Sequence, residues 1–514
     1  MRVPLTIADH LERASLVYPD RVGVVDEPDQ PAASWGELTY GRVAELARAQ
    51  AAALDGLGVG RGERVAIVSH NAARLLVSFF GVAAWGRVLV PINFRLSPDE
   101  VRYIVEHSGA SVLLVDPELD ESLAGIDAKH RFVLGADTDG GLWPASGAVT
   151  EPEPWEQPDE DTTATINYTS GTTARPKGVQ LTHRNLWINA GVFGWQAGVN
   201  DRDVYLHTLP MFHCNGWGMP FALTGMGARQ VVLRKVDGDE ILRRVDAHGV
   251  TLLCGAPAVV AAILDAAERW EGEIPGRDRV RMVVAGAPPP TRTIERMETE
   301  LGWEFIQIYG LTETSPLLTM NRRRAEWDDL SPGERASRLG RAGAPTLGTT
   351  LDTDGAGEVL ARSNVVLDGY WDQPEASAEA LEGGWFHTGD GGALDDGYLT
   401  ISDRKKDVII SGGENVSSIE VEDALHSHEA VAEVAVIGVP DEKWGETVKA
   451  LVVLAPGAAA DERTLIDHCR AKLAHYKCPT SVEIRDSLPR TATGKLQKFK
   501  LRTPYWEGRE RQVN

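Results

Sequence analysis

At 514 residues the chain is too long for one simple core and implies two or more domains. With 43% hydrophobic and 25% charged residues it has the composition of an ordinary globular protein, which excludes a disordered chain. A net charge of −23 excludes a broad nucleic-acid footprint or an anionic membrane surface as partner, and leaves room only for local basic sites that take small phosphates.

The N-terminal stretch MRVPLTIADHLERASLVYPDR lacks the apolar core of a signal peptide. Residues 39–54 have helical spacing and are rich in alanine, residues 63–69 (ERVAIVS) read as a buried strand, 75–84 as a helix and 88–92 as a second strand. A helix over 98–107 and a strand over 111–115 follow, and this alternation predicts a mostly parallel sheet covered by helices. The run GLGVGRG at 56–62 lacks the GxGxxG spacing and lies between a helix and a strand, so it is no dinucleotide-binding fingerprint. Residues 136–163 turn acidic and rich in Gly and Pro, as expected of a mobile surface excursion.

Next comes YTSGTTARPKGV, residues 168–179, with the β-prone ATIN before it and LTHRNLWINAGVF, read as a helix, after it. A hydroxyl-rich loop between a strand and a helix exposes successive backbone N–H groups to an anion, the glycines let the backbone approach closely, and Lys177 adds a fixed positive charge. A polyphosphate suits such a loop. It is not a P-loop: from Gly171 the chain reads GTTARPKG, with Pro176 where the second glycine belongs and Gly178 where the hydroxyl belongs. A polar turn ahead of a helix is the plain alternative.

Strand–helix alternation resumes with strands over 203–209 and 230–233, a helix over 239–248, a strand over 250–254, an apolar helix through 264 and a strand over 280–285. The apolar run 252–264 is broken by Gly and Pro and is too short to span a bilayer. Residues 321–343 read as charged and irregular, and 355–367 as short strands of a smaller β-subdomain. After residue 403 comes another mixed unit, with a strand over 407–411, a helix over 418–426, strands over 431–439 and 447–454, and a helix over 462–473. Cys214, Cys254, Cys469 and Cys478 show no paired metal-ligand spacing, which points to a reducing compartment and a cytoplasmic protein without stable membrane insertion.

Further stretches share the chain with YTSGTTARPKGV. They are PMFHCNGW (210–217), VVAGAP (283–288), QIYGLTET (307–314), WFHTGD (385–390) followed by DRKKDVIISGGENVSSIEVED (403–423), and PRTATGKLQK (489–498). In this order and spacing they resemble the adenylate-forming superfamily of acyl-CoA synthetases, non-ribosomal adenylation domains and firefly luciferase, and most nearly its fatty-acyl and aryl acyl-CoA synthetases.

The resemblance implies an α/β fold. Residues 1–403 would form a large N-terminal adenylating domain of two helix-covered sheets, with a β-subdomain at 340–400, and residues 404–514 a small mobile α+β lid. It also implies a two-step reaction: a carboxylate attacks the α-phosphate of ATP, giving an acyl-adenylate and pyrophosphate, and after lid rotation the thiol of coenzyme A displaces AMP. The partners are then a small-molecule acid, ATP and coenzyme A, with Mg²⁺ as cofactor and room for a homodimer.

Roles follow residue by residue. Thr169, Ser170, Gly171, Thr172, Thr173 and Lys177 match the loop that handles the β- and γ-phosphates, and Glu313 with Thr173 the metal contacts. Gly286, Ala287 and Pro288 match the segment lining adenine, Tyr309 the ring stacked on it, and Thr312 a contact to the α-phosphate. Asp390 matches the acceptor for the ribose hydroxyls and Arg404 its partner. Lys406 falls at the hinge, Lys495 matches the lid lysine that reaches the carboxylate and α-phosphate, and Gly412 and Gly413 match the pantetheine path. His213 matches a gate beside the acyl pocket, whose walls would include Met211, Gly216, Trp217 and residues near Val283. Gly310 stands where small-acid members carry tryptophan, which implies a pocket open to a medium-chain or aromatic acid.

The sequence departs from the pattern at Ala174, where glycine is usual, and in residues 340–360, which are shorter than the norm. Two other readings share the motifs: an adenylating enzyme whose acceptor is an amine or a carrier-protein thiol instead of coenzyme A, and a nucleotide-binding regulator without chemistry.

Overall fold

The computed structural model describes residues 1–135, 141–143, 150–169, 175–286, 289–404, 407–411, 414–441, 443–490 and 496–507, without the side chains of Arg404 and Asn415. A seven-stranded sheet runs in the order Gly369–Tyr370, Lys177–Thr182, Thr163–Thr169, Val88–Ile92, Arg64–Val68, Val112–Val115, His130–Val133. The last five of these are parallel, and the first two join antiparallel at one edge. Every residue of VLVPI (Val88–Ile92) and VLLV (Val112–Val115) is buried, as strands covered on both faces require.

A nine-stranded sheet carries a parallel centre of Glu304–Tyr309, Arg281–Val284, Leu252–Gly255, Val204–His207, Arg229–Val232 and Val22–Val25. Antiparallel strands flank it, Thr319–Arg322 with Ala344–Pro345 on one side and Glu37–Thr39 on the other.

The helix Ala73–Ala83 (ARLLVSFFGVA) is buried along its whole length. A helix buried all round and this apolar belongs between layers. Its Phe79 and Phe80 meet Phe221, on the helix Met219–Met226, edge-on with ring centroids 5.6 Å apart. One packed core thereby joins helices belonging to both sheets.

A four-stranded antiparallel sheet follows, Thr349–Thr353, Glu358–Ser363, Phe386–Asp395 and Tyr398–Arg404. The remaining sheet combines Glu414–Val416, Ile409–Ser411, Gly445–Leu454, Val431–Asp441 and Ser481–Ile484. Among the described residues, the two clusters packed on it are built from residues between Ile409 and Leu501.

The α/β architecture expected from the sequence is present, with corrections in three places. The segment after residue 174 continues as the strand Lys177–Thr182, paired antiparallel with Thr163–Thr169 from Thr169↔Lys177 to Thr163↔Thr182. The 170–174 loop therefore joins two strands of a hairpin, not a strand and a helix. Val179 and Leu181 bury their side chains in this strand, and the helix starts only at His183, where Thr182 and Asn185 form a capping box. The strand Lys177–Thr182, roughly 20 Å long, thus separates Lys177 from the N-terminus of that helix.

The region 321–343 is not wholly irregular. Ser331 and Glu334 form a capping box with Pro332 in the first turn, opening the helix Pro332–Leu339, which buries Ala336 and Leu339. The acidic excursion is anchored at several points: Trp143 is buried against Trp35, Trp155 packs on His183, and Glu160 accepts from Leu5 N at 2.7 Å while pairing with Arg184. Among the described residues no helix is long and apolar enough to cross a membrane.

Candidate active site

The strand Glu304–Tyr309 ends in YGLTET, and this short turn gathers the sequence-predicted groups. The Tyr309 phenol donates to Asp390 Oδ2 at 2.8 Å, tying the nine-stranded sheet to the four-stranded one. Cys214 Sγ donates to Thr312 Oγ1 at 3.0 Å, tying the His213 segment to the turn. The Glu313 carbonyl accepts from Leu367 N at 2.7 Å, and its Oε1 accepts from the Tyr370 phenol at 3.0 Å. Burial first, then the Glu313 charge, raises the Tyr370 phenol well above its ordinary range and keeps it a donor. Lys177 begins its strand with Nζ 4.6 Å from the Tyr370 ring centroid. Asp390 stands opposite Arg404 across the Phe386–Asp395 and Tyr398–Arg404 pair.

Gly310 is set by its surroundings. A Cβ there would lie 1.5 Å from the Pro316 carbonyl oxygen and 3.0 Å from Thr314 Oγ1. The turn folds back on itself, and the absence of a side chain is a backbone requirement before it is a pocket feature. Gly310→Ala is therefore expected to force a backbone shift that costs about 1–3 kcal/mol and to raise the KM for ATP, because Tyr309, Thr312 and Glu313 ride on the same turn. Denaturant titration alongside nucleotide kinetics checks this, and an alanine variant as stable as its parent would refute it.

The PMFHCNGW stretch adopts an unusual backbone. Cys214, Asn215, Gly216, Trp217 and Gly218 have φ of 47°, 52°, 59°, 59° and 77°, a left-handed turn that includes three non-glycine residues. Each of those costs roughly 1–2 kcal/mol, so the turn needs outside support. Asn167 Nδ2 donates to Asn215 Oδ1 at 3.1 Å, Asn215 Nδ2 to Thr165 Oγ1 at 2.9 Å, and Asn189 Nδ2 to the Trp217 carbonyl at 3.2 Å. Held this way, Trp217 is 4% exposed within a cluster that includes Met219, Val283, Ile306, Ile308 and Leu317. Met211 is also buried but belongs to the neighbouring cluster around Phe221. His213 is half-buried just before the turn, its carbonyl accepting from Gly216 N at 3.0 Å.

The profile of AMP-binding enzymes matches residues 11–371, and that of the AMP-binding enzyme C-terminal domain matches residues 420–495. The chain belongs to the AMP-binding enzyme family. It is 38% identical to 4-hydroxybutyrate–CoA ligase 2 of Metallosphaera sedula, over 96% of this chain and 93% of that one. It is 37% identical to 2-methylpropanoate–CoA ligase CCL4 of Humulus lupulus, over 97% and 95%. Among solved structures, the anthranilate CoA ligase AuaEII in complex with anthranoyl-AMP superposes with a TM-score of 0.85 at 30% identity, covering 98% of this chain and 99% of that one.

In this AMP-binding enzyme Thr169 is half-buried at the end of its strand, in register with Lys177, and Gly286 is exposed with φ of 99° just after the strand Arg281–Val284. Ser170, Gly171, Thr172, Thr173, Ala174, Ala287, Pro288, Lys406, Gly412, Gly413 and Lys495 lie outside the described residues, as does the Arg404 side chain. Among the described residues no group of three His, Cys, Asp or Glu side chains could hold a metal by itself. Glu313 offers one hard carboxylate, which fits Mg²⁺, an ion usually shared between one or two carboxylates and substrate phosphates.

Sequence reading missed Tyr370, Cys214 and the Asn167–Asn215–Thr165 set. A buried asparagine within the strand sequence TATINYT was the readable signal for the last, since a polar side chain inside a covered strand needs a partner.

Proposed function

We propose that this AMP-binding enzyme is an ATP- and Mg²⁺-dependent acid–CoA ligase that adenylates a medium-chain or aromatic carboxylic acid and passes the acyl group to coenzyme A. The observation that carries the reading is the YGLTET turn, which joins Tyr309 to Asp390, Thr312 to the His213 segment and Glu313 to the strand of Lys177 through Tyr370. In the reading, Asp390 and Arg404 hold the ribose, Gly286, Ala287, Pro288 and Tyr309 line adenine, and Thr169 to Thr173 with Lys177 take the β- and γ-phosphates. Glu313 and Thr173 would hold Mg²⁺, which would supply charge neutralisation at the phosphates. A carboxylate oxygen bonds to the α-phosphorus and pyrophosphate leaves; the coenzyme A thiol then bonds to the acyl carbon and AMP leaves. His213 borders the acyl pocket and Gly412 with Gly413 the pantetheine path. The division into domains 1–403 and 404–514 with a hinge at Lys406, and a cytoplasmic site of action, belong to the same reading. All four cysteines are buried and none is in a disulfide, which supports a reducing compartment.

A second reading of the acid has its own support. The two relatives above are named for 4-hydroxybutyrate and 2-methylpropanoate, and the Pro316 contact explains the small residue at position 310 without an open pocket floor. An ATP/pyrophosphate exchange screen over C4, medium-chain and aromatic acids, followed by AMP release with and without coenzyme A, decides both points. Strongest exchange with benzoate-like or C6–C10 acids bears out the main reading, and strongest exchange with C4 acids replaces it with the second. Turnover that ignores coenzyme A for every activated acid would sink the ligase assignment in favour of another acceptor.

A further inference from the structure

We infer that Tyr370 is a positioning residue for the metal–pyrophosphate half of the site, an inference that rests on the adenylation reading. One side chain serves two oppositely charged groups: its ring carries the Lys177 ammonium 4.6 Å from the centroid, and its hydroxyl donates to Glu313 Oε1 at 3.0 Å. A phenol donating to a carboxylate makes a charge-assisted hydrogen bond, and such a bond fixes the rotation of the carboxylate. An aromatic face holds an ammonium without neutralising it, so the lysine keeps its charge for an anion.

The backbone around Tyr370 is tied to both partners. The strand Gly369–Tyr370 lies antiparallel against Lys177–Thr182 with Tyr370 opposite Val179, and Trp371 N donates to the Gly178 carbonyl at 2.7 Å. Upstream, Leu367 N donates to the Glu313 carbonyl at 2.7 Å. Ser377 Oγ accepts from Tyr370 N at 2.8 Å and donates to the Gln373 carbonyl at 2.8 Å, which fixes the tyrosine from outside the site. Residues 367–371 thus form a strap across the base of the phosphate hairpin and the acidic turn. The strap sets the spacing between the lysine and the carboxylate, and Tyr370 is the side chain through which it does so.

Tyr370→Phe keeps the ring and removes the hydroxyl, while Tyr370→Leu removes both. The probe is Mn²⁺ titrated by electron paramagnetic resonance into enzyme saturated with a non-hydrolysable ATP analogue, compared with binding of the analogue in chelator. Mn²⁺ affinity is expected to fall about tenfold in both variants, whereas metal-free analogue binding weakens only in Tyr370→Leu. The Phe variant should also need more Mg²⁺ for half-maximal exchange, with the KM for the acid unchanged. A Phe variant that binds Mn²⁺ like the parent overturns the inference. So does equal loss of metal-free nucleotide binding in both variants, since that marks general damage. Should the leucine variant fail to fold, the Phe variant decides alone. Failure of the adenylation reading looks different: the parent enzyme itself shows no acid-dependent exchange.

Discussion

Lys495→Ala is expected to lower adenylate formation by about 10²–10³-fold, the scale of losing one preorganised group aimed at developing oxyanion charge. Thioester formation from a supplied acyl-adenylate should stay largely intact. The asymmetry follows from the proposed two-step scheme, in which the lysine would support the carboxylate and α-phosphate while charge builds there and would leave with the lid before the thiol arrives. Residues on either side of the 491–495 stretch are bridged, Arg490 to Leu496 as a β-bridge and Gln497 N to the Pro489 carbonyl at 2.9 Å. These contacts are made by residues outside that stretch, so truncating the lysine side chain leaves them in place. Separate assays of pyrophosphate exchange and of acyl-adenylate thiolysis read the two halves. Equal loss in both would count against lid rotation or against this lysine.

The second large effect concerns stability. Lys498 Nζ pairs with Glu422 Oε1 at 2.7 Å and donates to Ser418 Oγ, and Ser418 Oγ in turn donates to Asp403 Oδ2 at 2.5 Å. Burial pulls the lysine down, but the Glu422 and Asp403 carboxylates outweigh it and raise its pKa, while burial raises Glu422 against the pull of Lys498. Removing one member of a largely buried ion pair strands the other. With the two side chains 12% and 17% exposed, Lys498→Ala is expected to destabilise the protein by about 2–3 kcal/mol, less than for a fully buried pair, and a double change of Lys498→Met with Glu422→Leu to recover most of that loss. Denaturant unfolding followed through the C-terminal region measures both. A single variant that costs less than the double would refute the pairing.

Much of this protein was legible in its sequence because the informative signals are local. Covered parallel strands such as VLLV announce themselves by continuous apolar runs, and the helices that spacing put at 39–54, 98–107 and 239–248 begin and end within two residues of those bounds. The hairpin around 170–174 was read as a strand–helix junction because KGVQLT is short and its pairing partner is visible only in three dimensions. The helix Pro332–Leu339 lay hidden in a charged stretch although its Ser331–Glu334 box was readable.

At the site, motif residues such as Tyr309, Glu313 and Asp390 could be named from sequence, but the groups that hold them could not. Tyr370 lies 57 residues from Glu313 in the chain, and no periodicity links the two. Gly310 shows the opposite failure. Its smallness suggested a roomy pocket, while the carbonyl of Pro316 beside it gives a reason that has nothing to do with the acid.

The bonds at Asp403 bear on how the lid would move. Asp403 accepts from Ser418 N at 3.0 Å as well as from Ser418 Oγ, and Ser417 Oγ donates to the Ser402 carbonyl. Ser402 and Asp403 precede the proposed pivot at Lys406, and Ser417 and Ser418 follow it. A swivel at that pivot that moves the two sides apart cannot be frictionless: it must first unclip this set. The joint would then behave as a detent with a preferred stop, and the dwell time at that stop would become a property of two serines and an aspartate.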